Sequence, residues 1–402
     1  MRKVAVIGSG PAGLTAARVA EENGAAVMLF EARRKLGAKL LVSGAGKCNF
    51  TNILSAEKLA KSFGAPWRFM MPALRRLTPE MLVKILAERG VASHLVDGFF
   101  YFPDTESAAD VLAALKPDRT DCLIGTSVTG ITVRNGKVCG VDCADGRSFA
   151  VDAVVAACGG VSWPQLGDVG KVVYSAVEKL GHRIVRPTPA LVQLQVAEYP
   201  LGDLAGIVLD DASFTFGKMR TRGTVLFTHD GVSGPAALDI SGAVLAEPSG
   251  AVVKMSWLGD MNFERWEKFF IDGGRTDGRK QTTTVLGGLL PARAAALLTQ
   301  LAGAAPGTLI SELKAPIRRK LSHLLSEMEL RIDGDGDWKK AMATRGGVDL
   351  RDISAGTLES RLVKNLFFAG EMLDLDGPCG GYNIQWACSS GFLAGLSATA
   401  GC

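Results

Sequence analysis

Residues 3–31 read KVAVIGSGPAGLTAARVAEENGAAVMLFE: a strand, a glycine loop, a helix, a second strand and an acid, in unbroken order. Lys3–Ile7 is the short apolar run of a strand buried on both faces. Gly8-Ser9-Gly10-Pro11-Ala12-Gly13 follows at once and gives GxGxxG. Leu14–Asn23 reads as a helix closed by Gly24, and Ala26–Phe30 as the second strand, with Glu31 at its end. The three glycines have separate tasks: Gly8 allows the tight turn, Gly10 lets the backbone approach a pyrophosphate, and Gly13 lets helix and strand pack closely. The helix N-terminus turns unpaired N–H groups and a positive dipole end toward that phosphate. Glu31 lies 18 positions after Gly13, near the roughly 20 expected for an acid that accepts from ribose hydroxyls. An acid there repels a 2′-phosphate, which favours FAD or NAD over NADP. Gly8, Gly10, Ala12, Gly13, Glu31 and Ala32 are the candidate cofactor contacts of this unit.

The remainder of the chain separates FAD from NAD. An NAD dehydrogenase continues with further strand–helix–strand units, whereas Arg33–Asn52 is a loop rich in Gly, Lys and polar side chains. Ser127–Val133 and Lys137–Asp142 read as a hairpin about Asn135-Gly136. Residues 148–162 read as one strand ending in Cys158-Gly159-Gly160. This is similar to the second signature of two-dinucleotide-binding flavoproteins, in which Val128 would hold the adenine through its backbone. Near the C-terminus, Asn365–Gly370 reads as a strand, followed by Glu371-Met372-Leu373-Asp374. Gly377–Asn383 then leads into a helix through Gly395. Asp374, with Glu371 second, is the candidate carboxylate for the ribityl or pyrophosphate region. The helix that starts near Asn383, with Gly380, Gly381, Tyr382 and Ile384, is expected to aim N–H groups at the flavin pyrimidine and stabilise the reduced ring.

At 402 residues, 47% hydrophobic and 21% charged, the chain has the composition of an ordinary globular protein with a large core. A net charge of +4 is too small to argue for nucleic acid alone, but Lys and Arg crowd residues 33–76. The eight cysteines form no CxxC pair and no metal-like cluster with histidine, so no metal is expected. With no targeting segment ahead of the first strand, the reading is a cytoplasmic protein with reduced thiols. Leu286–Leu301, the most apolar stretch, is broken by Pro291 and Arg293 and does not read as a membrane span.

Four segments carry a more specific likeness: KLLVSGAGKCNFTN at 39–52, GGVSWPQLG at 159–167, LFTHDGVSGPAALDIS at 226–241 and GEMLDLDGPCGGYNIQWACSSGFLAG at 370–395. GGVDLRDISAGTLESRLVKNLFFAG at 346–370 joins the last of them. The chain resembles the BaiN/YhiN-type flavoproteins. The resemblance implies an α/β fold in which a Rossmann-like, glutathione-reductase-like FAD-binding domain (1–189 and 346–402) is interrupted by an insert (190–345). That insert is β-rich to about 260 and helical from about 261. Two departures stand out: Lys47 replaces the family's Arg, which removes a bidentate contact, and Gly167–Val173 replaces a glycine-rich loop.

Within the insert, Ala190–Leu258 reads as short strands and turns. Trp266–Glu329 reads as mainly helical, clearest at Leu289–Leu301 and Ile317–Leu330. Asp333–Asp337 lacks the late glutamate of a calcium loop and reads as an exposed turn. Lys39, Ser43, Gly44, Lys47 and Asn49 are candidates for FAD phosphates and ring edges. His229, Tyr382 and Cys48 are the candidate catalytic groups, His229 for proton transfer near neutral pH and Cys48 because Lys47 beside it could lower its thiol pKa; with no resolving CxxC partner, packing or flavin contact is the favoured role of Cys48. The expected chemistry is hydride transfer between flavin and a polarised C=C bond of a small organic molecule, with NAD(P)H as donor. The alternatives are a uridine reductase acting on RNA through the basic residues 33–76, and a flavin-binding protein without catalysis.

Overall fold

The computed structural model describes residues 1–166 and 169–400. The chain divides into two compact units, Met1–Thr188 with Ala343–Cys402, and Pro189–Met342.

The first unit is built on a parallel sheet whose strands, in chain order, are β1 (Lys3–Ile7), β2 (Ala26–Glu31), β3 (Asp121–Ile124), β4 (Ala153–Ala156) and β5 (Leu366–Phe368). In space they run β5-β4-β1-β2-β3. Ile7 is level with Ala156 on one side and Phe30 on the other, and Ala156 with Phe368. The carboxyl ends of four strands therefore lie along one edge. Helix α1 (Pro11–Glu22) follows β1, with Gly10 as N-cap and no side-chain cap. Asn23 and Gly24 close it, Gly24 with φ +81° as expected of a glycine at that position.

The C-terminal helix Tyr382–Thr399 packs along α1. A Cβ at Gly391 would fall 2.2 Å from the Ala12 carbonyl oxygen, and one at Gly395 would fall 2.4 Å from that of Ala16. Two glycines one turn apart thus let the helix backbones touch, a closeness that side chains forbid.

The expected hairpin is present at Val128–Arg134 and Lys137–Cys143, with Asn135 (φ +52°) and Gly136 (φ +72°) at its tip. Residues 148–162 depart from the single strand read in the sequence. Ser148–Ala150 joins the hairpin as a third strand, the chain breaks at Val151-Asp152, and β4 begins at Ala153 in the parallel sheet. Asp152 fixes the break by accepting from the Lys3 N–H at 2.8 Å. The two strands follow one another with only Val151-Asp152 between them, so the sequence pattern alone does not reveal where the chain changes sheets.

The second unit has a six-stranded antiparallel sheet whose members include Val208–Phe216, Met219–Phe227 and Val252–Ser256. Its core gathers Phe214, Phe227, Trp257, Trp266 and Phe270. Two sequence expectations are corrected here. Pro235–Leu245, read within a stretch of strands, is a helix that starts with Pro at its first turn after Gly234. The helix expected to reach Leu330 ends at Glu327, and Met328–Arg331 pairs with Val252–Met255 as a strand. Sheet pairing supplies that segment with a partner its helical periodicity does not announce.

Candidate functional site

The turn Gly8–Gly13 sits at the end of β1, and the Gly8 N–H continues the ladder to the Phe30 carbonyl at 2.8 Å. Gly8 has φ +101°, and a Cβ there would lie 2.6 Å from the Ala157 oxygen. A Cβ at Gly13 would lie 1.8 Å from the Gly8 oxygen, so the glycine demanded there packs against the turn itself. Gly10 is different: a Cβ there meets nothing within 4 Å. The turn therefore has open space in front of Gly10, beside the first, unpaired N–H groups of α1.

Glu31 is buried and its carboxylate is anchored. Oε2 accepts from the Ser9 N–H at 3.2 Å and from the Ser9 hydroxyl, and Oε1 accepts from the Arg33 N–H at 2.9 Å. A carboxylate offers about four lone-pair positions, so Glu31 retains capacity for a hydroxyl donor. Ala12 is buried, Ala32 half-buried, and Val128 is buried in the hairpin.

At the ends of β4 and β5 the structure builds a polar cluster. Glu371 accepts from the Gly160 N–H at 3.0 Å through Oε2 and from the Thr344 N–H at 2.6 Å through Oε1. The Lys39 ammonium lies 3.7 Å from the Glu371 carboxylate and donates to the Gly160 carbonyl at 3.3 Å and to the Ser162 hydroxyl at 3.1 Å. Lys39, expected from the sequence to meet phosphate, thus has three protein partners. Gly159 (φ +74°) and Gly160 form the turn, with Cys158 before them. Burial pushes the Cys158 thiol up to about 12, and it lies 3.4 Å from the Met372 sulfur.

Gly370 (φ +67°) touches α1, where a Cβ would come within 2.9 Å of the Ala12 Cβ. Burial raises the carboxyl of Asp374 above the usual carboxylate range, opposed by Arg345 and the Gly346 N–H.

The third cluster joins residues 49–52 to the start of the C-terminal helix. Gly380 (φ +110°) and Gly381 (φ +81°) precede it, and Cβ atoms there would fall 2.4 Å from Phe100 and 2.7 Å from the Asn49 side-chain oxygen. Asn383 clasps Gly377, accepting from its N–H at 2.8 Å and donating to its carbonyl at 2.9 Å. The Thr51 hydroxyl donates to Gln385 at 2.7 Å, and Gln385 and Ser389 both donate to the Leu77 carbonyl. Tyr382 and Ile384 are half-buried in the first turn. The Asn49 side-chain oxygen is buried without a hydrogen-bond partner among the described residues.

The loop Ser43–Cys48 brings Gly44, Ala45, Gly46 and Cys48 into positive φ. Ser43 donates to the Leu40 carbonyl at 2.6 Å. Lys47 and Cys48 depart from the idea of a cation-activated thiol, and the burial of Cys48 agrees with the packing role the sequence favoured. The Lys47 ammonium points to Glu106 at 2.8 Å, with both side chains half-exposed. Cys48 is buried, and desolvation pushes its thiol up to about 12 rather than down. Sequence adjacency does not place a cation against the sulfur: the Lys47 ammonium is half-exposed on Glu106, whereas Cys48 is buried. His229 belongs to the second unit, exposed in the turn between Met219–Phe227 and Gly231–Ser233. Of the replaced loop, Gly167 and Asp168 lie outside the described residues.

Thr344 is a functional residue that no motif in the sequence marks. It is buried, and its hydroxyl accepts from both the Val161 and Ser162 N–H groups, at 2.9 and 3.1 Å. The cue is slight: a lone Thr ahead of Arg345-Gly346-Gly347. Among the described residues no group of three or more acids, cysteines and histidines is placed to hold a metal. No helix among them is long and apolar enough to cross a membrane.

A parallel sheet with a glycine turn, an anchored acid and two further glycine turns along its carboxyl edge defines a Rossmann-type flavoprotein, an oxidoreductase with FAD as its cofactor. The chain belongs to the HI0933-like family: the model described as HI0933-like protein Rossmann domain matches residues 2–397. It is 30% identical over 409 residues to the 3-dehydro-bile acid delta(4,6)-reductase of Clostridium scindens, covering 99% of each chain. It is 31% identical to the ribosomal RNA dihydrouridine synthase of Haemophilus influenzae, over 98% of this chain and 97% of that one. Among solved structures, 3-ketosteroid delta1-dehydrogenase from Sterolibacterium denitrificans has a TM-score of 0.54 at 13% identity, over 99% of this chain and 100% of that one, a likeness of fold.

Proposed function

We propose that the protein passes a hydride between FAD and a polarised C=C bond of a small organic substrate, with NAD(P)H as the electron source, in the cytoplasm. The observation that carries this reading is the convergence of the Gly8–Gly13 turn, Glu31, the Cys158–Gly160 turn and the Gly370–Asp374 segment on one carboxyl edge. FAD, when bound, supplies a two-electron carrier that gives hydride to the electron-poor carbon while a proton reaches its neighbour.

The chain's own part is binding and proton supply. The α1 N-terminus and the space at Gly10 suit a pyrophosphate, and Glu31 suits the ribose hydroxyls. Val128 suits the adenine. The buried, unpartnered Asn49 oxygen and the N–H groups of Tyr382, Asn383 and Ile384 suit a flavin ring edge, where acceptors and donors alternate. Tyr382, with a phenol at the head of the C-terminal helix, is the favoured proton donor, and His229 is the second candidate. The Clostridium scindens relative, named as a delta(4,6)-reductase, supports the choice of bond.

The test is product analysis: reduced protein incubated with conjugated ketones gains product two hydrogens heavier by mass spectrometry. Tyr382→Phe should then slow reduction by about 10²-fold or more while FAD stays bound. A normal rate in that variant, with loss in His229→Asn, reassigns the proton to His229.

A second reading, reduction of uridine in RNA, is favoured by the dihydrouridine synthase relatives and by Trp67, which lies beneath Lys61 and Arg68 with exposed Lys58, Arg75 and Arg76 nearby in sequence. RNA affinity that falls steeply with salt supports it. Undetectable binding at low salt removes it.

A further inference from the structure

We propose that Thr344 is a positioning residue for the cofactor: with Glu371 it holds the Gly159-Gly160 turn and the Lys39 ammonium as one preorganised unit facing the flavin. The inference rests on the reading that FAD lies along the carboxyl edge of the sheet.

The geometry is closed at every step. The buried Thr344 hydroxyl accepts two consecutive backbone N–H groups, those of Val161 and Ser162. Its own N–H reaches Glu371, whose other oxygen takes the Gly160 N–H. Three successive amides of the turn, at 160, 161 and 162, are thus fixed by two side chains. Thr344 also fills the space of the missing side chain at Gly160, where a Cβ would lie 2.2 Å from the hydroxyl oxygen and 2.4 Å from the Thr344 Cβ. Lys39 closes the ring through the Gly160 carbonyl, the Ser162 hydroxyl and Glu371. The Tyr174 hydroxyl donates to the Glu371 carbonyl at 3.2 Å and pins that residue from behind.

Such a unit has a purpose beyond packing. A turn with all three amides tied presents a fixed backbone surface, and preorganised dipoles and charges act on a ligand without a reorganisation cost at the moment of reaction. The Lys39 ammonium is held in place by the Glu371 carboxylate, the Gly160 carbonyl and the Ser162 hydroxyl. Positive charge near a flavin favours its reduced, anionic form. Thr344 stands one residue after the chain re-enters the first unit at Ala343, so the turn's shape depends on the strand Ala343–Val348 being seated.

The experiment compares wild type, Thr344→Ser, Thr344→Val and Lys39→Met by FAD titration of the apoprotein and by the midpoint potential of the bound flavin. Wild type that binds no FAD defeats the underlying reading before any variant is compared. With FAD bound, Thr344→Ser should stay near wild type. Thr344→Val should lose about tenfold or more in FAD affinity, equivalent to about 1.4 kcal/mol, and shift the potential. Lys39→Met should move the potential to more negative values. If Thr344→Val does not fold, Lys39→Met decides: an unchanged potential and affinity overturn the proposal. So does a folded Thr344→Val indistinguishable from wild type, or a Thr344→Ser that loses as much as the valine variant.

Discussion

A methyl group added at Gly10 meets no protein atom within 4 Å, whereas one at Gly8 falls 2.6 Å from a backbone oxygen in a left-handed conformation. The two glycines of one motif therefore answer to different demands, binding at Gly10 and folding at Gly8. Gly10→Ala should leave the apoprotein's stability within about 0.5 kcal/mol of wild type and still weaken FAD about tenfold or more. Gly8→Ala should lower stability by about 1–3 kcal/mol. Urea denaturation of the apoproteins, paired with FAD titration, separates the two, and equal loss of stability in both variants contradicts the assignment. Cys48 gives a second residue-scale expectation. Its thiol, buried and pushed up to about 12, should resist iodoacetamide at pH 8 in the folded protein and react only after unfolding, as followed by mass spectrometry. Rapid alkylation of the native protein would contradict this and point to a reactive thiolate at Cys48.

Elements are held to one another by glycine contacts and by buried hydrogen bonds. The C-terminal helix meets α1 through Gly391 and Gly395, with no room for a side chain. Gly391→Leu should destabilise the protein by about 1–3 kcal/mol or more by overpacking, read as a lowered denaturation midpoint. His182 links the end of the helix Val169–Glu178 to the turn at Ser360. Its Nδ1 lies 3.0 Å from the Val177 carbonyl, which can only accept, so Nδ1 carries the proton and Nε2 accepts from the Ser360 hydroxyl at 2.7 Å. Burial lowers the pKa of His182. The folded state thus binds this proton less readily than the unfolded chain. The stabilisation is fully present above about pH 6.5 and is lost as pH falls through the folded-state value. Denaturation measured between pH 8 and 5 should show that decline, and His182→Gln should flatten it. An unchanged slope in the variant excludes His182 as its source.

At the scale of the molecule, the first unit is assembled from two stretches of chain separated by 154 residues of the second unit, Pro189–Met342. FAD should therefore slow amide exchange in both 1–188 and 343–400, although they are remote in sequence. Slowing confined to the N-terminal stretch contradicts a site built from both. How much of this was readable in the sequence differs by interaction type. The β1–α1–β2 unit, the Asn135-Gly136 hairpin and the glycine-led C-terminal helix are local patterns, and local patterns carry their own signal. The Thr344–Glu371–Lys39 cluster joins residues more than 300 positions apart, and no periodicity reports such a meeting. The break at Asp152, the helix Pro235–Leu245 and the strand Met328–Arg331 were hidden because each is settled by a partner remote in sequence: Lys3 at Asp152, the sheet strands beneath the helix, and Val252–Met255 for the strand. The pairing of Lys47 with Glu106 and the burial of Cys48 were hidden because chain adjacency says nothing of what a side chain meets. The central claim, flavin-dependent reduction of a polarised double bond, is tested most directly by anaerobic absorbance of the fully reduced, FAD-loaded protein mixed with a panel of conjugated ketones. The account predicts return of the oxidised flavin spectrum with one saturated product formed per flavin. A reduced spectrum that persists across the whole panel would contradict it.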